Sequence, residues 1–178
     1  MKKILPILVL VIIGIALCIF LFVENPYSQN SGLQQIYSNG FITFNYTENF
    51  KQTTPHTVIG DADWVNIVNL MDNTTRIDVI RYKDINDPNK ARELTQYSPD
   101  IDPYSKVISN TTEINPNGIE IFKSVTTVQG EDWTLMYIDF YFKDKKDIVY
   151  SIIIYDNESK SLKLNNIANI IFNSLNTK

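Results

Sequence analysis

From Ile4 to Val23 the chain reads ILPILVLVIIGIALCIFLFV, about 20 consecutive residues without a charge. A helix of that length spans the hydrocarbon core of a bilayer. Pro6 and Gly14 do not argue against it, because no water competes for the backbone hydrogen bonds there. Lys2 and Lys3 precede the run and Glu24 follows it. The positive-inside rule therefore sets the N-terminus in the cytoplasm and the rest of the chain outside. A cleaved signal peptide is the first alternative, but Leu21-Phe22-Val23-Glu24-Asn25-Pro26 offers no small-x-small cleavage site. A lipoprotein is the second, but Leu17 stands where a small residue should precede the modified cysteine. The expectation is an uncleaved, single-pass signal anchor over residues 1–23 at the cell membrane. Cys18 is then one more apolar residue facing lipid.

Cys18 is the only cysteine. The region beyond the anchor cannot use a disulfide, a thiolate metal site or a thiol nucleophile, so its own core must hold it together. With 44% hydrophobic and 12% aromatic residues overall, the chain has the material for one. Setting aside Lys2 and Lys3 leaves 14 Lys and Arg against 20 Asp and Glu, a net of −6. That sign provides no electrostatic footprint for nucleic acid.

Residues 24–38 (ENPYSQNSGLQQIYS) are polar and rich in turn formers, and read as a flexible spacer. Residues 39–178 then read as one extracytoplasmic domain. Phe41–Tyr46 alternates as a first strand, and Trp64–Met71 and Thr75–Tyr82 form two more across a tight turn at Asp72-Asn73. Asp87 is placed to cap a short helix with Pro88 at its first position, running to about Tyr97. Lys106–Ile114 and Ile119–Val128 flank Asn115-Pro-Asn-Gly118, a hairpin signal because Asn and Gly accept positive φ. Glu131–Lys143 and Ile148–Tyr155 flank a charged turn. Both are apolar on two faces, so both faces must be covered. Leu164, Ile167, Ala168, Ile171 and Leu175 make one apolar helical stripe that covers one of them. The fold class is α+β, a meandering antiparallel sheet of about six to eight strands flanked by helices.

The opening aromatic strand Tyr37-Ser-Asn-Gly-Phe-Ile-Thr-Phe-Asn-Tyr46, the row of hairpins and the closing Ile170-Ile171-Phe172-Asn173-Ser174-Leu175 resemble the PsbP-like domains, which share the fold of Mog1. The resemblance covers about residues 36 to 176 and rests on apolar patterning. Thr47-Glu-Asn-Phe50 stands where members of that family carry Pro and then Trp. The resemblance implies a non-enzymatic module, in photosynthetic members an accessory of photosystem II.

Chemical signatures are few. The one histidine, His56, lies in a polar stretch and has neither the positioned partner of a general base nor companions for a metal. Asp84-Ile-Asn-Asp-Pro-Asn89 gathers oxygen ligands, but from Asp84 the EF-hand glycine falls on Asn89 and the closing glutamate on Thr95. A turn into the helix accounts for it, and no metal or cofactor is expected. Asp139 interrupts an apolar strand face between Tyr137 and Tyr141 and must find a partner, such as Arg76, Arg81 or a tyrosine hydroxyl, or reach water. If that face carries a groove, Trp133, Tyr137, Asp139 and Tyr141 line it. Asn45, Asn73, Asn110 and Asn157 begin N-x-Ser/Thr sequons, close to the number chance places in a chain this rich in asparagine, serine and threonine. An outside location would make them available for glycosylation.

These features favour a membrane-tethered, non-catalytic binding or accessory module whose partner the sequence does not identify, a protein at the cell surface being the candidate. The alternatives are an extracytoplasmic enzyme using carboxylates such as Asp61, Asp63 or Asp139, and a structural component of the envelope.

Overall fold

The β-branched and aromatic runs form strands because each presents an apolar face at a period of two. In the computed structural model, which describes residues 34–53, 64–94 and 103–178, ten strands make two antiparallel sheets. The apolar segment read as a membrane anchor, together with His56, Asp61 and Asp63, lies outside the described residues. Among the described residues no helix is long and apolar enough to cross a membrane.

The smaller sheet has the order β1-β2-β10, from β1 (Gln34–Ser38), β2 (Ile42–Thr47) and β10 (Asn176–Thr177). β1 corrects one reading. Gln34 to Ser38 were assigned to the spacer, yet they pair with Thr43 to Thr47 of β2. The segment's mostly polar composition hides a strand that pairs by its backbone and sets the Tyr37 ring 5.0 Å from that of Phe44. The turn between β1 and β2 is held by Asn39, whose Oδ1 accepts from the N–H groups of Phe41 (3.0 Å) and Ile42 (2.9 Å), with Gly40 at φ +89°.

The larger sheet contains β3 (Lys51–Thr53), β4 (Trp64–Asp72), β5 (Thr75–Tyr82), β6 (Ser105–Ile114), β7 (Glu120–Gln129), β8 (Thr134–Lys143) and β9 (Val149–Asn157). Their order is β3-β4-β5-β9-β8-β7-β6. The sheet is therefore not one continuous meander. β9 docks beside β5, and the connection from β5 to β6 must cross the sheet from its middle to its far edge. That connection carries helix α1 (Pro88–Glu93), capped by Asp87, which accepts from the Asn89 N–H at 2.9 Å. The acidic stretch from Asp84 thus leads into a helix, as its sequence suggested. The helix stops at Glu93, and the residues read as its last turn, 95–97, lie outside the described residues.

Helix α2 (Ser161–Ser174) follows β9 through a single 3-10 turn and buries Leu164, Ile167, Ala168 and Ile171, the predicted stripe. With Ile42, Phe44 and Tyr46 of β2 it covers one face of the large sheet. The principal core there includes Ile77, Ile138, Phe140, Phe142, Ile152 and Ile154. Phe50 is buried beside Tyr46 with ring centroids 6.4 Å apart. The other face carries a second, smaller cluster closed by Ala91 of α1.

Polar ties fix α2 at both ends. Lys163 Nζ reaches Asp72 Oδ2 (2.9 Å) and Thr75 Oγ1 (2.7 Å). At the C-terminal end Asn115, 3% exposed, donates through Nδ2 to the carbonyls of Phe172 (3.1 Å) and Leu175 (2.7 Å). Its Oδ1 accepts from the N–H groups of Asn117 (3.0 Å) and Ile119 (2.9 Å). One side chain thus shapes the β6–β7 turn and pins the end of the helix. Asn115→Ala leaves the Phe172 carbonyl and two N–H groups to find new partners, while Leu175 keeps the Asn117 amide at 2.9 Å, and is expected to cost about 2–3 kcal/mol. Chemical denaturation checks it, through a lowered midpoint at unchanged slope.

Candidate functional site

β8 divides its side chains between the two layers. Ile138, Phe140 and Phe142 enter the principal core, while Tyr137, Asp139 and Tyr141 enter the layer beneath α1. Around Asp139 the α1-side layer is unusually polar for a sealed interior. Ser124 stands opposite Asp139 on β7, and Thr126 stands opposite Tyr137. Ser151 stands opposite Tyr141 on β9, and Tyr82 closes the group from β5. All four are at least nine-tenths buried.

Asp139 is 2% exposed, and its Oδ1 has no hydrogen-bond partner. Burial pushes its carboxyl up to about 8, and a hydrogen bond with the Tyr141 hydroxyl offsets part of that rise. The carboxyl is therefore mostly protonated at neutral pH. A tyrosine, rather than Arg76 or Arg81, is the partner. The Tyr82 hydroxyl is likewise pushed well up, first by burial and further by the potential of Asp139. Its contact with Ser151 Oγ, 3.3 Å away, acts in the opposite sense. Apolar groups complete the layer. Tyr137 stacks on Tyr155 at 5.1 Å, Tyr141 lies 6.3 Å from Phe122, and the Arg92 guanidinium sits 5.7 Å from the centre of the Phe122 ring.

Tyr141 and Phe122 also reach an open cavity of about 560 Å³. Four segments converge on it: the β6–β7 turn, the β8–β9 turn, the start of α1 and the C-terminal strand. Its rim carries Asp87, Glu120, Lys143, Asp144 and Lys145. Asp144 shapes that rim, its Oδ1 accepting from the N–H groups of Lys146 (2.8 Å) and Ile148 (2.9 Å). Phe122 is half-buried at the cavity floor, Tyr141 lies sealed beneath at 0% exposure, and the rim carries both charge signs.

The four residues expected to line one groove are therefore split. Tyr141 lies at the cavity, and Tyr137 and Asp139 are sealed beneath α1. Trp133 precedes β8, eight residues from Tyr141 and about 26 Å away along an extended strand. It is 49% exposed, beside a second open depression of about 610 Å³ with Glu131, Asp132 and Glu158. Its indole lies on Gly130, where a Cβ would come within 2.3 Å of the ring. Gly130→Ala is expected to lift the ring off this seat, seen as a displaced Trp133 indole N–H resonance.

Phe122, Ser124, Thr126 and Ser151 were not singled out in the sequence, and the two turns were read as turns but not as parts of a site. Ser124 and Thr126, two residues apart in an apolar strand, were the available signal of a polar inner face. Of the sequon asparagines, Asn73 and Asn110 are exposed, whereas Asn45 and Asn157 are half-buried. Asn45 Nδ2 donates to Gln34 Oε1 at 3.1 Å, and Asn157 Oδ1 accepts from Ser159 Oγ at 2.7 Å.

No family model matches the chain, and no curated protein matches it. Solved structures do. The solution structure of cyanobacterial PsbP (CyanoP) from Synechocystis sp. PCC 6803 superposes with a TM-score of 0.57 at 13% identity, covering 86% of this chain and 100% of that one. The fold is PsbP-like. The crystal structure of LpqN, involved in cell envelope biogenesis of Mycobacterium tuberculosis, aligns with a TM-score of 0.49 at 12% identity over 82% of this chain and 91% of that one. The PsbP-like fold expected from the aromatic first strand, the hairpins and the closing helix is thus present. At this identity the likeness carries the architecture and not the activity.

Proposed function

We propose that this protein is a single-pass, membrane-tethered module. The N-terminus would be cytoplasmic and the PsbP-like domain outside, where it binds a protein partner without catalysing a reaction. The observation that carries the binding reading is the open cavity lined by the half-buried Phe122, with the sealed Tyr141 packed beneath it. Aromatic floors with polar rims are the anatomy of recognition surfaces. Its placement on turns held by a rigid sheet agrees with that reading. The tether rests on the apolar run Ile4–Val23 and the lysines before it.

The carboxylate-enzyme alternative is disfavoured at Asp139, because its unpartnered Oδ1 is sealed from solvent and no substrate atom reaches it.

Two measurements on the full chain in its own membrane test the proposal. External protease applied to intact cells should digest the domain, and alkaline extraction should leave the chain in the membrane. Protection from the protease, or release by alkali, would refute the tethered topology. A photo-crosslinking residue at Phe122 should yield a defined adduct with one partner, lost on Lys143→Glu. The same residue at the exposed Leu162, on α2, should yield none. Equal labelling from both positions would sink the cavity as the recognition surface.

A further inference from the structure

Strand β6 has the longest unpaired edge among the described residues. Its 10 residues pair with β7 on one side only. Ile108 and Ile114 are 54% and 70% exposed. A row of free backbone N–H and C=O groups is a template for another strand. The usual defences are thin, because β6 is long, contains no proline and carries one lysine.

Its one irregularity, a bulge between Val107 and Ser109, changes which side chains share a face. Lys106 stands opposite Thr127 and Glu113 opposite Ile121. These in turn oppose Met136 and Phe142, which both belong to the α2 side of the sheet. Seven residues apart, Lys106 and Glu113 would point to opposite faces of a regular strand. The bulge brings them to the same face.

A symmetric antiparallel pair requires a two-fold axis perpendicular to the sheet, which pairs only residues of like face. Placed at Asn110, that axis sets Asn110 against itself and Ser109 against Thr111 of the second copy. Val107 and Ile108 together then face Thr112, Lys106 faces Glu113, and Ser105 faces Ile114. The charge pair occurs twice by symmetry, and no like charges meet. With the axis moved to Thr111, Glu113 faces Ser109 and both charge pairs are lost.

We infer that the outer edge of β6 is a self-complementary interface through which two copies of this chain pair antiparallel about Asn110, extending the large sheet across the two-fold axis. The occupant is a second copy because the edge carries its own complementary charges in the register that symmetry demands. The Glu113 carboxylate, which accepts from Thr111 Oγ1 at 2.9 Å in the single chain, becomes the acceptor for Lys106 of the second copy. This interface is separate from the aromatic-floored cavity and stands whether or not that cavity binds a partner.

The test uses the full chain in mild detergent with Cys18→Ser as background, so that each added cysteine is the only one. Asn110→Cys should give a disulfide-linked dimer under mild oxidation, since paired Cα atoms on the axis lie within disulfide reach. Thr111→Cys, off the axis, should give far less. Adding Lys106→Glu to Asn110→Cys places like charges opposite each other and should lower the dimer yield about tenfold. Adding Lys106→Glu and Glu113→Lys together should restore it. Unchanged thermal unfolding of each variant would show that the fold is not what changed. The inference is overturned by an Asn110→Cys chain that stays monomeric, by preferential crosslinking at Thr111→Cys, by failure of the charge swap to rescue, or by a glycan found on Asn110.

Discussion

Asp139→Asn is expected to make the protein more stable at pH 9 by several kcal/mol and to leave it no more stable at pH 4. Burial raises the folded-state carboxyl from 3.8 to about 8. Below pH 4 the group is neutral in the folded and unfolded chain alike, and it costs nothing. Between 4 and 8 the unfolded chain gives up this proton and the folded chain keeps it. Stability therefore falls by about 1.4 kcal/mol per pH unit, to a total on the order of 5 kcal/mol above pH 8. Asparagine removes the titration but adds a buried amide, which takes back about 1–3 kcal/mol. The variant and the parent should therefore cross in the acid range and diverge with rising pH. Denaturant titrations of both at pH 4, 6, 8 and 9 check it, and parallel curves would show that Asp139 is ionised in the folded protein.

Comparing the two proteins is necessary because Asp156 acts in the opposite sense. Burial alone would raise it, but hydrogen bonds from Thr75, the Asn157 N–H and Thr74, together with the Lys160 ammonium 3.6 Å away, hold it below its ordinary value. Its contribution is present at neutral pH and is lost as pH falls through its folded-state value. In the parent alone the two trends overlap, and the Asp139→Asn difference separates them.

Phe140→Ala is expected to cost about 3–5 kcal/mol, the usual range for removing a sealed phenylalanine. Phe140 is adjacent to Asp139 in sequence and lies on the opposite face of β8. It is 0% exposed, and its ring centroid lies 6.1 Å from that of Phe172 on α2. Ile138 and Phe142 flank it on the same face, so the surrounding side chains are already committed and the void cannot close. The loss should appear at every pH as a lowered denaturation midpoint. Because Phe172 loses its partner, protection of the α2 amides from hydrogen exchange should fall more than that of β6 and β7. A loss below about 1 kcal/mol would mean that α2 is not held against this face.

The contrast between neighbouring residues 139 and 140 shows what could be read from sequence. Strand alternation assigned them to opposite faces, and the stripe from Leu164 to Leu175 announced a helix to cover one of them. The hairpin at Asn115-Pro-Asn-Gly118, the cap at Asp87 and the closing helix were legible because each depends on residues within a few positions of one another. β1 was missed because Gln34 to Ser38 contribute backbone pairing to β2 and show no apolar alternation. The docking of β9 beside β5 was missed because strand order depends on contacts more than 60 residues apart in the chain. The candidate site was only partly visible for the same reason. Trp133, Tyr137, Asp139 and Tyr141 share a strand neighbourhood in the sequence, but only Tyr141 reaches the cavity. That cavity is assembled from turns and a chain end that no local pattern links.

Local chemistry therefore determined the strands, the caps, the apolar run near the N-terminus and the demand that Asp139 be buried with a partner or reach water. The tertiary structure decided which of these it was. Covered by α1 and given a tyrosine as its neighbour, Asp139 holds its proton at neutral pH. Its ionisation state is a property of the dielectric around it, and that is set by side chains from β5, β7, β9 and α1 that meet only when the sheet has closed.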